Sequence, residues 1–181
     1  KIVLIISLSI RIFSSSLSAA TFTWTGAGDG VSWNDESNWN DGDGFLAGDG
    51  IPLNSDDVII GSGTPAVNAA NLVANDLTIN GGTLSINTGI TLDIEGNFLM
   101  NGGTLTMASN AIFDVAGNWN DAAGSFDSGD GHVKLTGDGG AGTITSDAVD
   151  VGNSFYDFTI DNVEYVLTAG GLDIGSKLTV T

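Results

Sequence analysis

The chain has 181 residues, with 22 Asp and Glu against 4 Lys and Arg, and no Cys. A formal net charge of −18 repels phosphate, which excludes nucleic acid as a partner. The lack of cysteine excludes disulfide scaffolds and thiolate metal sites. The chain has enough apolar residues to fill one core, and it is rich in Gly, Asp and Asn, which favour turns. This composition predicts a single all-β domain with many tight turns.

The first twenty residues differ from the rest of the chain. Lys1, the apolar run 2–10 and the small residues 18–20 have the layout of a secretory signal peptide, which predicts a secreted, extracellular or cell-surface protein. The run is too short to span a bilayer, so no membrane span is predicted in the mature chain. Alternatively, the segment is retained as a half-buried strand that pairs with an open sheet edge, because apolar residues alternate with polar ones at Ile6, Leu8, Ile10 and Ile12.

Residues 21–56 are predicted to form an aromatic-rich N-terminal cap. Trp24, Trp33 and Trp39 lie close together in the sequence. Exposed, these rings would stack on sugars, which gives a carbohydrate-binding module as the alternative function. Buried, they would cover the first coil of a repeat fold, whose ends otherwise expose apolar core. The sequence favours the buried arrangement.

An Asp-rich loop follows the last of these tryptophans. Asp41, Asp43 and Asp49 offer the oxygen ligands that Ca²⁺ prefers. Their spacing departs from the known calcium-loop patterns, and Asp-Gly turns explain them without a metal. Weakly bound Ca²⁺ is therefore the one cofactor considered.

An internal repeat determines the predicted fold of residues 57–181. Residues 80–100 and 101–121 align at an offset of 21, and apolar, Gly and Asn positions recur in both copies. A repeat of this length fits one coil of a right-handed parallel β-helix, a β-solenoid in which Leu84 lies over Leu105 and Phe98 over Trp119. The looser spacing after Gly124 leaves an antiparallel β-sandwich as the alternative.

The same register stacks hydroxyl side chains on the outside of the coils. Thr83 and Ser85 would lie beside Thr104 and Thr106. We expect this ladder to fail one coil later, at residues 125–127, which leaves two rungs. A ladder of only two rungs needs no special function, because threonine is an ordinary and favoured residue on the surface of a strand.

Several turn and packing motifs are spread over nearly the whole mature chain. They are Thr23-Trp24-Thr25-Gly26, Trp33, Asn38-Trp39, Asp56-Asp57-Val58-Ile59-Ile60, Gly117-Asn118-Trp119, Gly131-His132-Val133-Lys134-Leu135 and Phe155-Tyr156-Asp157-Phe158-Thr159-Ile160. Together they resemble the motifs of bacterial extracellular β-helix surface proteins, such as autotransporter passengers and adhesins. The resemblance implies export, a cell-surface location and a structural or adhesive role, and it implies no ligand.

The sequence predicts no enzyme. His132 is the single histidine and faces outward in its predicted strand, with no nucleophile motif beside it. The lyases among β-helix proteins use Arg or Lys against acidic sugars, and residues 21–181 contain no Arg. A polysaccharide-active β-helix enzyme is the least favoured alternative.

The predicted function is a non-enzymatic structural or adhesive module of a bacterial cell surface or extracellular filament. The repeat stops in mid-unit at Thr181, which predicts an incomplete solenoid or a subunit whose open end another chain covers. Its predicted partners are further copies of itself or other surface proteins, and glycans in the alternative function. Copies would associate head to tail by strand addition.

Overall fold

The structure is a computed structural model that describes residues 19–42, 50–137, 141–146, 154–161, 164–169 and 171–181. These residues contain β-strands, one 3₁₀ turn at Glu36–Asn38 and no α-helix. None of their helical structure has the length and apolar character needed to cross a membrane. The strands are β1 Thr21–Trp24, β2 Trp39–Asn40, β3 Asp57–Ile60, β4 Ala66–Val67, β5 Leu72–Ala74, β6 Leu77–Ile79, β7 Thr83–Ile86, β8 Thr91–Ile94, β9 Phe98–Met107, β10 Ile112–Val115, β11 Trp119–Asp127, β12 His132–Leu135, β13 Gly142–Thr145, β14 Phe155–Ile160, β15 Tyr165–Ala169 and β16 Ile174–Val180.

The strands form a parallel β-solenoid of about 5 turns. In the first sheet the strands follow the order β15-β13-β11-β9-β6-β3-β1-β2, and β4 and β7 join it through β9. The second sheet has the order β16-β14-β12-β10-β8-β5. Among the described strands every pairing is parallel except that of β1 with β2. The antiparallel sandwich is therefore wrong, and the solenoid is confirmed.

Each coil contributes to three faces, because β9 and β11 run through a corner. The first part of β9 pairs with β6, and its second part, from Thr104 onward, pairs with β7. The second sheet, with β8 and β10, forms the third face. Between the two parts of β9 lie Gly102 and Gly103, and Gly103 has a φ of 75°. A left-handed backbone suits glycine and lets the strand turn without a break in pairing.

The register between successive coils is the one that the repeat predicts. Leu84 pairs with Leu105, and Phe98 pairs with Trp119, both in parallel. The register continues into the next coil, where Ser125 pairs with Thr104. Our expectation that it fails at residue 125 was wrong, because the bulges in β11 lie before this point and restore the offset. The column of Thr83 and Thr104 therefore has a third hydroxyl, on Ser125, whereas the column of Ser85 and Thr106 ends at Asp127.

Alternating residues of each strand point into the coil and form one continuous core. Strands β7, β8, β10 and β12 share the same alternation of half-buried and buried residues. Each inward residue lies over its partner one coil away, at the spacing of about 4.8 Å between paired strands. A row of stacked aromatic rings results, with neighbouring centroids between 4.5 and 5.7 Å apart, from Phe98, Phe113, Trp119, Phe126, Phe155 and Phe158.

A ladder of Asn and Asp side chains joins the coils at one corner. The N–H and Nδ2 of Asn118 both donate to Oδ1 of Asn97, at 3.0 and 2.8 Å. The N–H of Asn97 donates to Oδ1 of Asp76, at 2.6 Å. The N–H of Thr143 donates to Oδ1 of Asn118, at 2.8 Å. The ladder gives partners to backbone N–H groups at a corner where the strand ladder is interrupted.

Candidate functional site

The three tryptophans of the N-terminal cap lie inside the fold. Trp24, Trp33 and Trp39 are all buried. The ring of Trp39 contacts the other two edge to face, with centroids 5.0 and 4.8 Å apart, and its Nε1 donates to the carbonyl of Trp33. The rings therefore cover the first coil, as the sequence favours. A surface that stacks on sugars needs exposed ring faces. These three rings are buried, so they do not form the glycan-binding surface of the alternative function.

A buried asparagine holds the loop of the cap together. Oδ1 of Asn38 accepts from the N–H groups of Gly28 and Gly30, at 2.9 and 3.0 Å. Its Nδ2 donates to Oδ1 of Asp29 and to the carbonyl of Ser32. All four hydrogen-bonding positions of this amide are thus used. The sequence places Asn38 in a motif but does not reveal this role, because four partners spread over a loop leave no periodic pattern.

Asp29 is the charged centre of the same loop. Its Oδ1 accepts from the N–H groups of Val31 and Ser32, at 2.8 and 2.7 Å. Hydrogen bonds from Ser32, from the backbone of Val31 and from Asn38 favour the carboxylate and hold the pKa of Asp29 far below its ordinary value. The loop is therefore organised around an ionised side chain.

Asp56 fixes the start of the stack. Its Oδ1 accepts from the N–H of Ala20 at 2.9 Å, and its Oδ2 accepts from the N–H of Leu53 at 3.0 Å. The N–H of Asp57 in turn donates to the carbonyl of Ala20, at 2.9 Å. Ala20, the residue after which the sequence predicts cleavage, thus contacts the first coil through its backbone.

The predicted calcium ligands are only partly within the described residues. Asp41 is half-buried. Asp43 and Asp49 lie outside the described residues. Within the part of the chain that the structure describes, no group of three or more acidic or histidine side chains could hold a metal ion. Weak calcium binding by the Asp-rich loop stays a prediction.

The predicted donor strand also lies outside the described residues, which begin at residue 19. It comprises Ile6, Leu8, Ile10 and Ile12. Donation of this segment to a neighbouring sheet edge, and its removal as a signal peptide, both stay predictions.

The outer face of the second sheet carries the single histidine. Nε2 of His132 lies 2.8 Å from Oγ1 of Thr159. On the same face Nζ of Lys134 donates to Oδ2 of Asp114, at 2.9 Å. Burial lowers the pKa of His132 below its ordinary value of 6.5, and the charge of Asp157 opposes this shift. His132 faces outward as predicted, but it is half-buried rather than fully solvated.

The last described strands of the two sheets are β15 and β16. In the orders of the described strands, each of them pairs with a described strand on one side. The hydroxyl of Tyr165 anchors β15 by donating to the carbonyls of Ala116 and Gly117, and burial raises the pKa of Tyr165 to about 12. Large apolar side chains are exposed along both strands, namely Val166, Leu167, Leu178 and Val180. Their exposure was not predicted from the sequence.

Comparisons with protein-family models, with curated proteins and with solved structures found no match. The parallel stacking of the strands alone shows that the architecture is that of a β-solenoid repeat protein.

Proposed function

We propose that the chain is a non-enzymatic structural module, exported to a bacterial cell surface or extracellular assembly, that serves as a rigid spacer and docking element. The observation that carries this proposal is the stack of parallel coils itself, with three buried tryptophans at its N-terminal end. In a parallel solenoid the backbone hydrogen bonds run along the long axis, so the stack resists extension. A rigid element of this kind connects other proteins or surfaces and keeps them at a fixed distance.

The arrangement of polar side chains supports a structural role. The Asn and Asp ladder, the Asn38 loop and the ion pair of Lys134 with Asp114 all join one part of the solenoid to another. The ladder and Asn38 give hydrogen-bond partners to backbone groups of corners and loops, and the ion pair joins side chains of neighbouring strands, so all three stabilise the stack. A rigid spacer requires hydrogen bonds and ion pairs of this kind, which hold its coils together.

Docking in this proposal occurs by strand addition at a sheet edge. Among the described strands, β2 and β5 end the two sheets on one side, and β15 and β16 end them on the other. A strand of a second copy or of another surface protein would pair with the backbone N–H and C=O groups of such an edge. Copies that pair head to tail would extend the stack along its axis.

Export is supported by the sequence of the first twenty residues, and it can be tested in a bacterial host. The chain is expressed with an initiator Met and a C-terminal tag, and the cells are fractionated. We expect the tagged protein outside the cytoplasm, with a mass that places its first residue at Thr21. The double variant Leu4→Asp, Ile5→Asp should keep it inside, because charge destroys the apolar run that the export machinery recognises.

The matched control places the same charge outside the apolar run. Ser15→Asp should leave the location unchanged. A cytoplasmic location of the unaltered chain, or the same location for the double variant and the control, would contradict export and with it the proposed surface role.

A further inference from the structure

We propose that His132 is a pH-sensitive joint between successive coils, at which protonation of the imidazole in mild acid loosens the coils that follow β12. The inference goes beyond the proposed function, and it depends neither on export nor on a spacer role. Three observations carry it: the position of the imidazole between two strands, the pairing of the charges around it and the order in which the coils stack.

The imidazole lies on the outer face of the second sheet, where two neighbouring coils meet. In the register of the strands, His132 pairs with Ile112 of β10 on one side and with Asp157 of β14 on the other. Its Nε2 lies 2.8 Å from Oγ1 of Thr159, which is also on β14. The half-buried ring therefore reaches from β12 to the next coil, and its neighbour on the preceding coil is apolar.

The charged groups around His132 oppose one another in pairs. Strands β10, β12, β14 and β16 each contain one charged residue besides His132. Lys134, two residues along β12 on the same face, donates to Oδ2 of Asp114 on β10 at 2.9 Å. Lys177 of β16 is in register with Asp157 of β14. Two positive and two negative groups thus surround the ring, so their effects on its charge largely cancel and its burial decides.

Burial favours the uncharged form of this ring, because an imidazolium loses hydration when it is half-buried. Burial is the largest of the causes that lower the pKa of His132 below 6.5. The charge of Asp157 opposes this shift, and the charges of the two lysines add to it. The contribution of His132 to stability is therefore complete above pH 6.5, and it is lost as the pH falls from 6.5 through the lower pKa of the folded chain.

The stacking order determines which coils respond to this charge. In a solenoid each coil contacts only its neighbours, so stability is approximately a sum of contributions from the coils and from their interfaces. The second sheet places β14 and β16 on one side of β12, and β10 and β8 on the other. A charge on His132 weakens the attachment of β14, and with it that of β16, whereas β8 and β10 keep their contacts. Strands on one side of the joint therefore open together, as a local unit.

The titration of the ring can be followed by NMR, because the chain has a single histidine. In the purified 181-residue chain, titrated from about pH 8 to about pH 5, we expect a midpoint below 6.5. Asp157→Asn should lower this midpoint, and Lys177→Gln, a matched removal of the opposite charge, should raise it. A midpoint at or above 6.5 would overturn the proposal. It would show an imidazolium held by Oδ1 of Asp157, which is buried and has no hydrogen-bond partner among the described residues.

Hydrogen exchange of backbone amides locates the loosening. Rates are measured above and below pH 6.5 and corrected for the pH dependence of exchange in an unfolded chain. On acidification, protection in β14 and β16 should fall by about twofold or more relative to β8 and β10. His132→Gln should abolish this difference, because glutamine takes no charge and keeps a polar group near Thr159. An equal acid response on both sides of β12, or the same response in His132→Gln, would overturn the joint. Far-ultraviolet circular dichroism checks that the variants stay folded.

Discussion

The Gly103→Ala variant is expected to lose about 2 to 5 kcal/mol of unfolding free energy, from strain in the left-handed backbone and from overpacking against the neighbouring coil. Gly82, Gly103 and Gly124 form a column of left-handed glycines, with φ values of 74°, 75° and 99°. A Cβ on Gly103 would lie 2.7 Å from the carbonyl oxygen of Gly82 and 2.8 Å from the carbonyl carbon of Gly81. The carbonyl of Gly82 accepts a hydrogen bond from the N–H of Thr104 at 2.9 Å, so it cannot move aside as a flexible side chain can.

Two other glycines separate the causes of this effect in urea denaturation. Gly89 has a φ of 68°, and a Cβ there would meet nothing within 4 Å, so Gly89→Ala should cost about 1 to 2 kcal/mol from the backbone alone. Gly61 has neither a left-handed backbone nor a close neighbour, and Gly61→Ala should change the unfolding free energy by about 0.5 kcal/mol or less. Equal effects of Gly103→Ala and Gly61→Ala would show that the coils are not in this close contact.

The second large effect is expected for Trp119→Ala, with a loss of about 3 to 5 kcal/mol of unfolding free energy. Trp119 is fully buried and joins three successive coils of the aromatic row. Its ring lies 4.7 Å from that of Phe98 and 5.3 Å from those of Phe126 and Phe155, centroid to centroid. Truncation leaves a cavity that a parallel stack cannot close, because strand spacing is fixed by the backbone hydrogen bonds.

Trp119→Phe is the informative control for that variant. The indole Nε1 is buried with no hydrogen-bond partner in the structure, so phenylalanine removes an unsatisfied donor as well as ring volume. We expect it to cost less than half as much as Trp119→Ala. Tyr156→Ala, a truncation of an exposed ring, should cost about 0.5 kcal/mol. The packed aromatic row would be contradicted if thermal unfolding gave the same melting temperature for Trp119→Ala and Tyr156→Ala.

The solenoid could be predicted from the sequence because its information is periodic. One offset of 21 residues aligned Leu84 with Leu105 and Phe98 with Trp119, and both pairs stack as expected. Alternation within each strand then identified the inward face. Burial of the cap tryptophans followed from the same physics, since an uncovered coil would leave apolar core in water.

The features that escaped prediction depend on corners and loops. Later coils have different spacings, such as Trp119 with Ile144, because residues added at a corner lengthen a coil without changing its inward columns. The four partners of Asn38 come from a loop with no repeat. Leu178 and Val180 follow the same pattern as buried residues, so only the order of the strands shows that no described coil covers them.

The central claim is that successive coils stack in parallel, one above the next, with an offset of 21 residues between the coils of residues 80–100 and 101–121. Nuclear Overhauser contacts between backbone protons of isotope-labelled protein test it most directly. The structure predicts contacts of Thr83 with Thr104 and of Ser85 with Thr106, in parallel order. Contacts of Thr83 with Thr106 and of Ser85 with Thr104, the order of an antiparallel pair, would contradict the solenoid.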